Sequence, residues 1–297
     1  NLIIFMETIP YDKRAGKLWF NGVAVDWKDA KIHVLNHGLH YASCVFEGER
    51  VYDGKIFKLS EHTERLFYSA KRMGIEVPYS ISEINDACKK IVNIQNVKNG
   101  YVRPVIWRGS EMMAISAQKN KINVAIATWE WGSYFDPKQK LNGIKLNISS
   151  WRRPSPNSIP WDTKAAGLYM ICTLSKHEAE KEGFTDSLML DHEGNIAEAT
   201  GANIFFKNKE GEIHTPIPDS FLDGITRRTV IEIAKSKGIK IEERKIKPEE
   251  LKNFVGCFLT GSAAEVTPVS CIADNQFKVC ETIIDLNESY QTLVRKK

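Results

Sequence analysis

The run Glu198-Ala-Thr-Gly-Ala-Asn203-Ile-Phe-Phe206 sets an acid at the mouth of an apolar strand. A carboxylate that faces the interior needs a partner. One candidate basic group stands earlier in the chain, in Ile159-Pro-Trp161-Asp-Thr-Lys164-Ala-Ala-Gly167-Leu-Tyr169, where apolar and small neighbours would desolvate an ammonium. Desolvation lowers a lysine's pKa and makes its amine nucleophilic. Taken singly, a surface lysine at a helix start and a solvated strand-end acid remain open readings of the two.

Taken together, and if both are buried, they suit Schiff-base chemistry on a pyridine ring. The acid keeps the ring nitrogen protonated, and the protonated ring withdraws electrons from a carbanion formed on the substrate. Downstream, Leu222-Asp-Gly224-Ile225-Thr226-Arg227 puts a glycine turn directly before a helix, whose free N–H groups and positive dipole end can cradle a phosphate. Thr260-Gly261-Ser262-Ala263-Ala264-Glu265 follows a strand and offers a hydroxyl and further amides. Either turn alone is a weak signal.

The rest of the chain alternates strand and helix signals. Leu18–Val25 turns on Asn21-Gly22 and Val51–Phe57 on Asp53-Gly54, two hairpins. Helical spacing follows from about Ser60, with Leu66, Phe67, Ala70 and Met73 on one side, and again after a cap at Ser82, with Ile84, Cys88, Ile91 and Val92. Tyr101–Arg108 and Ile122–Trp129 read as strands. The expectation is a smaller α+β domain over 1–128, a linker rich in aromatics over 129–141, and a larger domain over 142–297. In the larger domain a strand (Ile144–Ser150), a Pro-rich loop (Arg152–Pro160), a helix after Lys164, a turn at Asp191–Gly194 and a helix from Gly224 to Gly238, striped by Val230, Ile233 and Ala234, are expected.

The 297 residues carry 41 basic and 37 acidic side chains spread throughout, so no concentrated basic face for nucleic acid is visible. The six cysteines form no CxxC pair and sit mostly in apolar stretches, which reads as reduced and buried rather than as metal ligands or disulfides, and favours the cytoplasm. Asn1–Phe5 is too short for a signal-peptide core, Met6 is a candidate start, and no apolar run approaches a membrane span.

Glu198-x-Thr200-x-x-Asn203-Ile204-Phe205, then Ile213-x-Thr215, then Leu222-x-Gly224-Ile225-x-Arg227 resembles the signature of the class IV pyridoxal-phosphate aminotransferases in residue types and spacing. Within that class the chain is most similar to the branched-chain enzymes, through Asn36-His-Gly-Leu-His-Tyr41, Val45-Phe46-Glu-Gly48, Glu61-His-x-x-Arg65-Leu66, Tyr101-Val-Arg103-Pro104, Trp131-Gly-x-Tyr134 and Gly261–Pro268. The resemblance implies the fold-type IV architecture, α+β and α/β domains with pyridoxal 5′-phosphate at their interface. It implies that Lys164 binds the cofactor and shuttles a proton, that Glu198 holds the ring nitrogen and Tyr169 the ring hydroxyl, and that Arg65, Ile225, Thr226 and Ser262 hold the phosphate. For substrates it implies Arg103, paired with Tyr101, at the side-chain carboxylate of glutamate. Amides near Ser262 and Ala263 would take the α-carboxylate, and Tyr41, Phe46, Trp131 and Tyr134 would wall an apolar pocket. Independently, residues two apart on a strand face one way, so Tyr101 and Arg103 can project together.

Leu168 stands where many relatives have Asn, and Ser262 where Thr is common; serine keeps the hydroxyl. The implied activity is transamination of L-leucine, L-isoleucine and L-valine with 2-oxoglutarate by a homodimer or larger homo-oligomer, Tyr41 reaching into the neighbour's pocket, with small-molecule substrates and no metal, nucleic-acid or membrane partner. The rivals are a D-amino acid or (R)-amine transaminase, a 4-amino-4-deoxychorismate lyase, and a non-catalytic protein that binds the cofactor. The Tyr101-x-Arg103 pair weighs against the alternative enzymes, and the presence of both Lys164 and Glu198 against a non-catalytic protein.

Overall fold

Short turns that tolerate positive φ set up the first sheet: Asn21-Gly22 joins β1 (Lys17–Phe20) to β2 (Val23–Asp26), and Asp53-Gly54 joins β4 (Glu49–Tyr52) to β5 (Lys55–Ile56). The computed structural model describes residues 9–132, 134–135 and 142–296; Asn1–Phe5 and Met6 lie outside them. The chain divides into two compact units, Asn1–Trp131 and Gly132–Lys297. This division falls within the stretch 129–141 read as a linker. Trp129 and Glu130 end a strand, and residues 133 and 136–141 lie outside the described residues.

In the first unit β3 (Cys44–Phe46), β6 (Gly100–Arg108) and β7 (Ile122–Glu130) complete an antiparallel sheet of order β2-β1-β7-β6-β4-β5, with β3 also paired to β6. A short helix α1 (His37–Tyr41) precedes β3. Helix α2 (Leu59–Arg72) buries Leu66 and Ala70, and α3 (Ile81–Ile94) buries Ile84, Cys88, Ile91 and Val92. The cap of α3 is Ser80, two residues before the Ser82 expected. Ser80 accepts from the Glu83 N–H, and the Glu83 carboxylate accepts from the Ser80 N–H at 2.7 Å. Such a reciprocal cap contributes about 1 kcal/mol.

The second unit is built on a mixed sheet: β8 (Ile144–Arg152), β9 (Asp186–Leu190), β10 (Ile196–Ala199), β11 (Asn203–Lys207), β12 (Ile213–Thr215), β13 (Ile241–Glu243), β14 (Gly256–Gly261), β15 (Glu265–Ile272) and β16 (Asn275–Gln276). Its order is β10-β9-β8-β15-β14-β11-β12-β13, and a further β10–β11 pairing closes the first six of these into a ring. Closure is made at one register pair, Glu198 opposite Asn203, and Asn203 is in turn opposite Thr260. Directly opposed residues share a sheet face, so Glu198, Asn203 and Thr260 form a row. On the other face Ile204, Phe206, Leu259 and Cys257 join the apolar core.

Helices α4 (Met170–Lys181), α5 (Ile225–Ser236) and α6 (Glu281–Val294) belong to this unit. In α5, Val230, Ile231 and Ala234 are buried and Ile233 is only half-buried, so the stripe is shifted by two positions at one point. All six cysteines are free, with Cys44 and Cys280 half-buried rather than buried. Among the described residues no helix is long and apolar enough to cross a membrane.

Candidate active site

Lys164 lies in the loop before a single 3-10 turn, Ala166–Tyr169, that leads into α4. That turn brings the Tyr169 hydroxyl within 2.8 Å of the lysine Nζ, which donates to it. Leu168 is buried, and its carbonyl accepts from the Arg153 guanidinium at 3.3 Å.

Arg153 carries no signal in the sequence that assigns it a role. It follows the last residue of β8, is 4% exposed, and sets its Nε 3.4 Å from Glu198 Oε1. The other carboxylate oxygen of Glu198 accepts from Asn203 Nδ2 at 3.3 Å. Burial pushes the Glu198 carboxyl up to about 7, with the charges of Arg153 and Lys164 partly offsetting it. The acid is therefore strongly desolvated, and its contacts among the described residues are long. The hairpin tip between β10 and β11 is pinned from β9: Thr200 Oγ1 donates to the buried Asp186 at 2.5 Å.

At the start of α5, Gly224 is the N-cap, and its N–H donates to Asn203 Oδ1 at 3.1 Å. A Cβ at position 224 would overlap that same oxygen, so only glycine fits. The first N–H groups of the helix, at Ile225 and Thr226, have no intrahelical acceptor, and both residues are buried. Arg227 clamps the preceding loop. It donates to Asp223 at 2.9 Å, to the Pro216 carbonyl at 3.1 Å and to Glu243 at 2.6 Å. Ser262 and Ala263 sit half-buried in the turn between β14 and β15, beside Thr260, whose Oγ1 is buried with no hydrogen-bond partner among the described residues.

In the first unit, four residues of the expected substrate set come together. Arg103 lies over the Phe46 ring, 4.6 Å from its centroid, and donates to the Tyr101 hydroxyl at 3.4 Å. The buried Tyr101 meets Trp131 edge-on at 4.8 Å between ring centroids. A Cβ at Gly48 would overlap the Tyr101 hydroxyl, which explains the glycine in Val45-Phe46-Glu-Gly48. Arg103 Nε is buried with no hydrogen-bond partner among the described residues. Tyr41 closes α1, with its half-exposed ring against His37. Tyr134, in the second unit, packs against Phe135.

Arg65, on α2, has a side chain only 12% exposed. Nε and Nη2 donate to the two oxygens of the fully buried Glu47 at 2.6 and 3.0 Å, and His62 Nδ1 lies 2.7 Å from the same carboxylate. Burial works to raise the Glu47 pKa, but the Arg65 and His62 charges outweigh it and hold the carboxyl well below its usual range.

A family model of the class IV amino-transferases matches residues 44–272. The probable branched-chain-amino-acid aminotransferase of Rickettsia felis is 44% identical over 295 residues, 98% of this chain and 100% of that protein. The branched-chain-amino-acid aminotransferase of Escherichia coli K12 is 39% identical over 266 residues, 88% of this chain and 86% of that one. A solved structure, the T.th. branched-chain amino acid aminotransferase with pyridoxamine 5′-phosphate, matches with a TM-score of 0.91 at 36% identity, covering 95% of this chain and 96% of that one. The fold is that of the fold-type IV enzymes, and the chemistry is that of a transaminase. The chain belongs to the class IV aminotransferase family, whose members use pyridoxal phosphate.

Proposed function

We propose that this transaminase moves the amino group of L-leucine, L-isoleucine or L-valine to 2-oxoglutarate, giving the branched-chain 2-oxo acids and L-glutamate, with pyridoxal 5′-phosphate as its cofactor. The observation that carries the reading is Glu198: a desolvated carboxylate with two contacts among the described residues, both beyond 3.2 Å, where a carboxylate can accept about four. A protonated pyridine nitrogen suits it. The Thr260 hydroxyl, two strands away across β11, is a second buried polar group with no hydrogen-bond partner among the described residues.

When bound, the cofactor supplies an electron sink for the pair left at the substrate Cα. Glu198 keeps the proton on the ring nitrogen, and Tyr169 bonds the ring hydroxyl. The Lys164 amine, held by the Tyr169 hydroxyl, would take up and return the substrate Cα proton at its Nζ. The phosphate falls to Ile225, Thr226, Ser262 and Arg65. For Arg65 the bidentate grip of Glu47 fixes the plane of the guanidinium fork. The turn at Ser262 and Ala263 takes the α-carboxylate.

Substrate choice rests on the names of the relatives and on the cluster of Phe46, Tyr101, Arg103 and Trp131, to which we add Tyr41 and Tyr134 as apolar walls. An aromatic wall accepts a branched side chain, while Arg103 takes the second carboxylate of 2-oxoglutarate or glutamate. Changing Arg103 to leucine should lower kcat/KM for 2-oxoglutarate roughly thirtyfold or more, equivalent to about 2 kcal/mol for losing one partner of a charged hydrogen-bonded pair. The value for L-leucine should stay within a few-fold in steady-state assays. A panel of donors against 2-oxoglutarate tests the main reading: turnover of L-leucine, L-isoleucine and L-valine supports it. Turnover of D-alanine or an (R)-amine alone would replace it with a D-specific activity.

The working unit is a homodimer or larger homo-oligomer. Two segments joined by hydrogen bonds from His37 to Gly109 and Ala114 expose Ile32, Val34, Leu35, Leu39, Tyr41, Met112, Met113 and Ile115. Exposed apolar side chains on two adjoining segments suit cover by a second copy of the chain, which would receive Tyr41. Leu39→Asp is expected to convert the assembly to monomers by light scattering; an unchanged mass would remove this surface from the interface. A cytoplasmic location accords with the free cysteines.

A further inference from the structure

We propose that Asn203 is a positioning residue that couples the two ends of the cofactor site, setting the ring-nitrogen carboxylate and the phosphate-binding turn with a single carboxamide. The proposal rests on the reading above, in which Glu198 meets the ring nitrogen and the start of α5 meets the phosphate.

The geometry is complete within one side chain. Asn203 is 4% exposed, and its Nδ2 donates to Glu198 Oε2 at 3.3 Å and to the Leu222 carbonyl at 3.0 Å, while Oδ1 accepts from the Gly224 N–H at 3.1 Å. Both amide hydrogens and the carbonyl oxygen are thus used. Rotating the amide by half a turn would set its NH₂ against the Gly224 N–H and its oxygen against two acceptors, so only one orientation is satisfied. The backbone of Asn203 is fixed independently, opposite Glu198 on β10 and opposite Thr260 on β14. A rigid strand position therefore holds the carboxylate on one side and the Leu222–Gly224 entry to α5 on the other.

The neighbours fit this role. Gly224 lacks the Cβ that would strike Asn203 Oδ1, and Arg227 braces the same loop from Asp223 and Pro216. Neither of those contacts reaches Glu198. Asn203 therefore bridges the two subsites directly. Aspartate at 203 keeps the acceptor for Gly224 but removes the donor to Glu198 and Leu222. Alanine removes both and leaves the half-buried Gly224 N–H without its acceptor.

Two readouts separate the two ends: the ratio of the dissociation constants for pyridoxal and pyridoxal phosphate reports the phosphate turn, and the nitrogen NMR shift of ring-labelled bound cofactor reports Glu198. Asn203→Ala, confirmed folded by its circular dichroism melt, is expected to cut the preference for the phosphorylated form at least tenfold and to move the ring-nitrogen signal toward the unprotonated form. Asn203→Asp should keep most of the phosphate preference and move the ring signal. Gly224→Ala approaches from the other end: by displacing Asn203 it should move the ring signal as well as weaken phosphate binding. A folded Asn203→Ala protein with wild-type values in both readouts, or a Gly224→Ala protein that loses phosphate preference with an unmoved ring signal, would overturn the coupling. Glu198→Gln serves as the reference: a ring signal unmoved in that variant would overturn the reading of Glu198 beneath the proposal, whatever Asn203 does.

Discussion

Lys164→Ala is expected to lower kcat for L-leucine with 2-oxoglutarate by at least about 10³-fold, the range in which removing a positioned general base and nucleophile falls. The fold should survive, because Lys164 is half-buried in a loop, outside the strands and helices of its unit. An added primary amine small enough to enter the vacated volume should restore part of the rate, since the missing function is proton transfer at one nitrogen. Unchanged turnover would sink the catalytic assignment and leave a protein that only binds the cofactor.

Glu198→Gln should have the second largest effect, a loss on the order of 10²-fold in kcat, because a neutral amide cannot hold a proton on the ring nitrogen. The same substitution should stabilise the protein once the cofactor has been removed. The Glu198 carboxyl is pushed up to about 7 from an ordinary 4.5, so the folded state binds a proton that the unfolded chain gives up. Stability from this group is complete below the unfolded pKa and is lost as pH rises through about 7. At pH 8 the cost to the cofactor-free protein is on the order of 3 kcal/mol, which glutamine escapes. Denaturant melts should therefore show the cofactor-free variant gaining on the wild type between pH 5.5 and 8, with added cofactor reversing the order. A constant gap across that range would mean that Glu198 is not the desolvated acid described.

Local signals made much of the fold legible. The Asn21-Gly22 and Asp53-Gly54 hairpins and the helix entered at Gly224 each depend on a few adjacent residues. The start of α3 falls at Ser80 rather than Ser82 because both serines can cap, and only Ser80 has an acid three residues on. At the site, Lys164 and Tyr169 are five residues apart, and Tyr101 and Arg103 lie on one strand, so their meeting follows from local geometry. The partners that tune them do not. Glu47 grips Arg65 across 18 positions, and Arg153, one residue past the end of β8, is buried while Arg152 beside it is exposed, a difference no neighbouring residue signals. Asn203 stands in the family motif, yet its bonds to Glu198 and Gly224 depend on the closing of the β10–β11 pair and on a loop returning from residue 222.

The most direct test of the account is borohydride reduction of the protein loaded with pyridoxal phosphate, followed by peptide mass spectrometry. The account requires a pyridoxyl phosphate group on the peptide containing Lys164 and on no other lysine. Label on a different lysine, or none after loading, would contradict it.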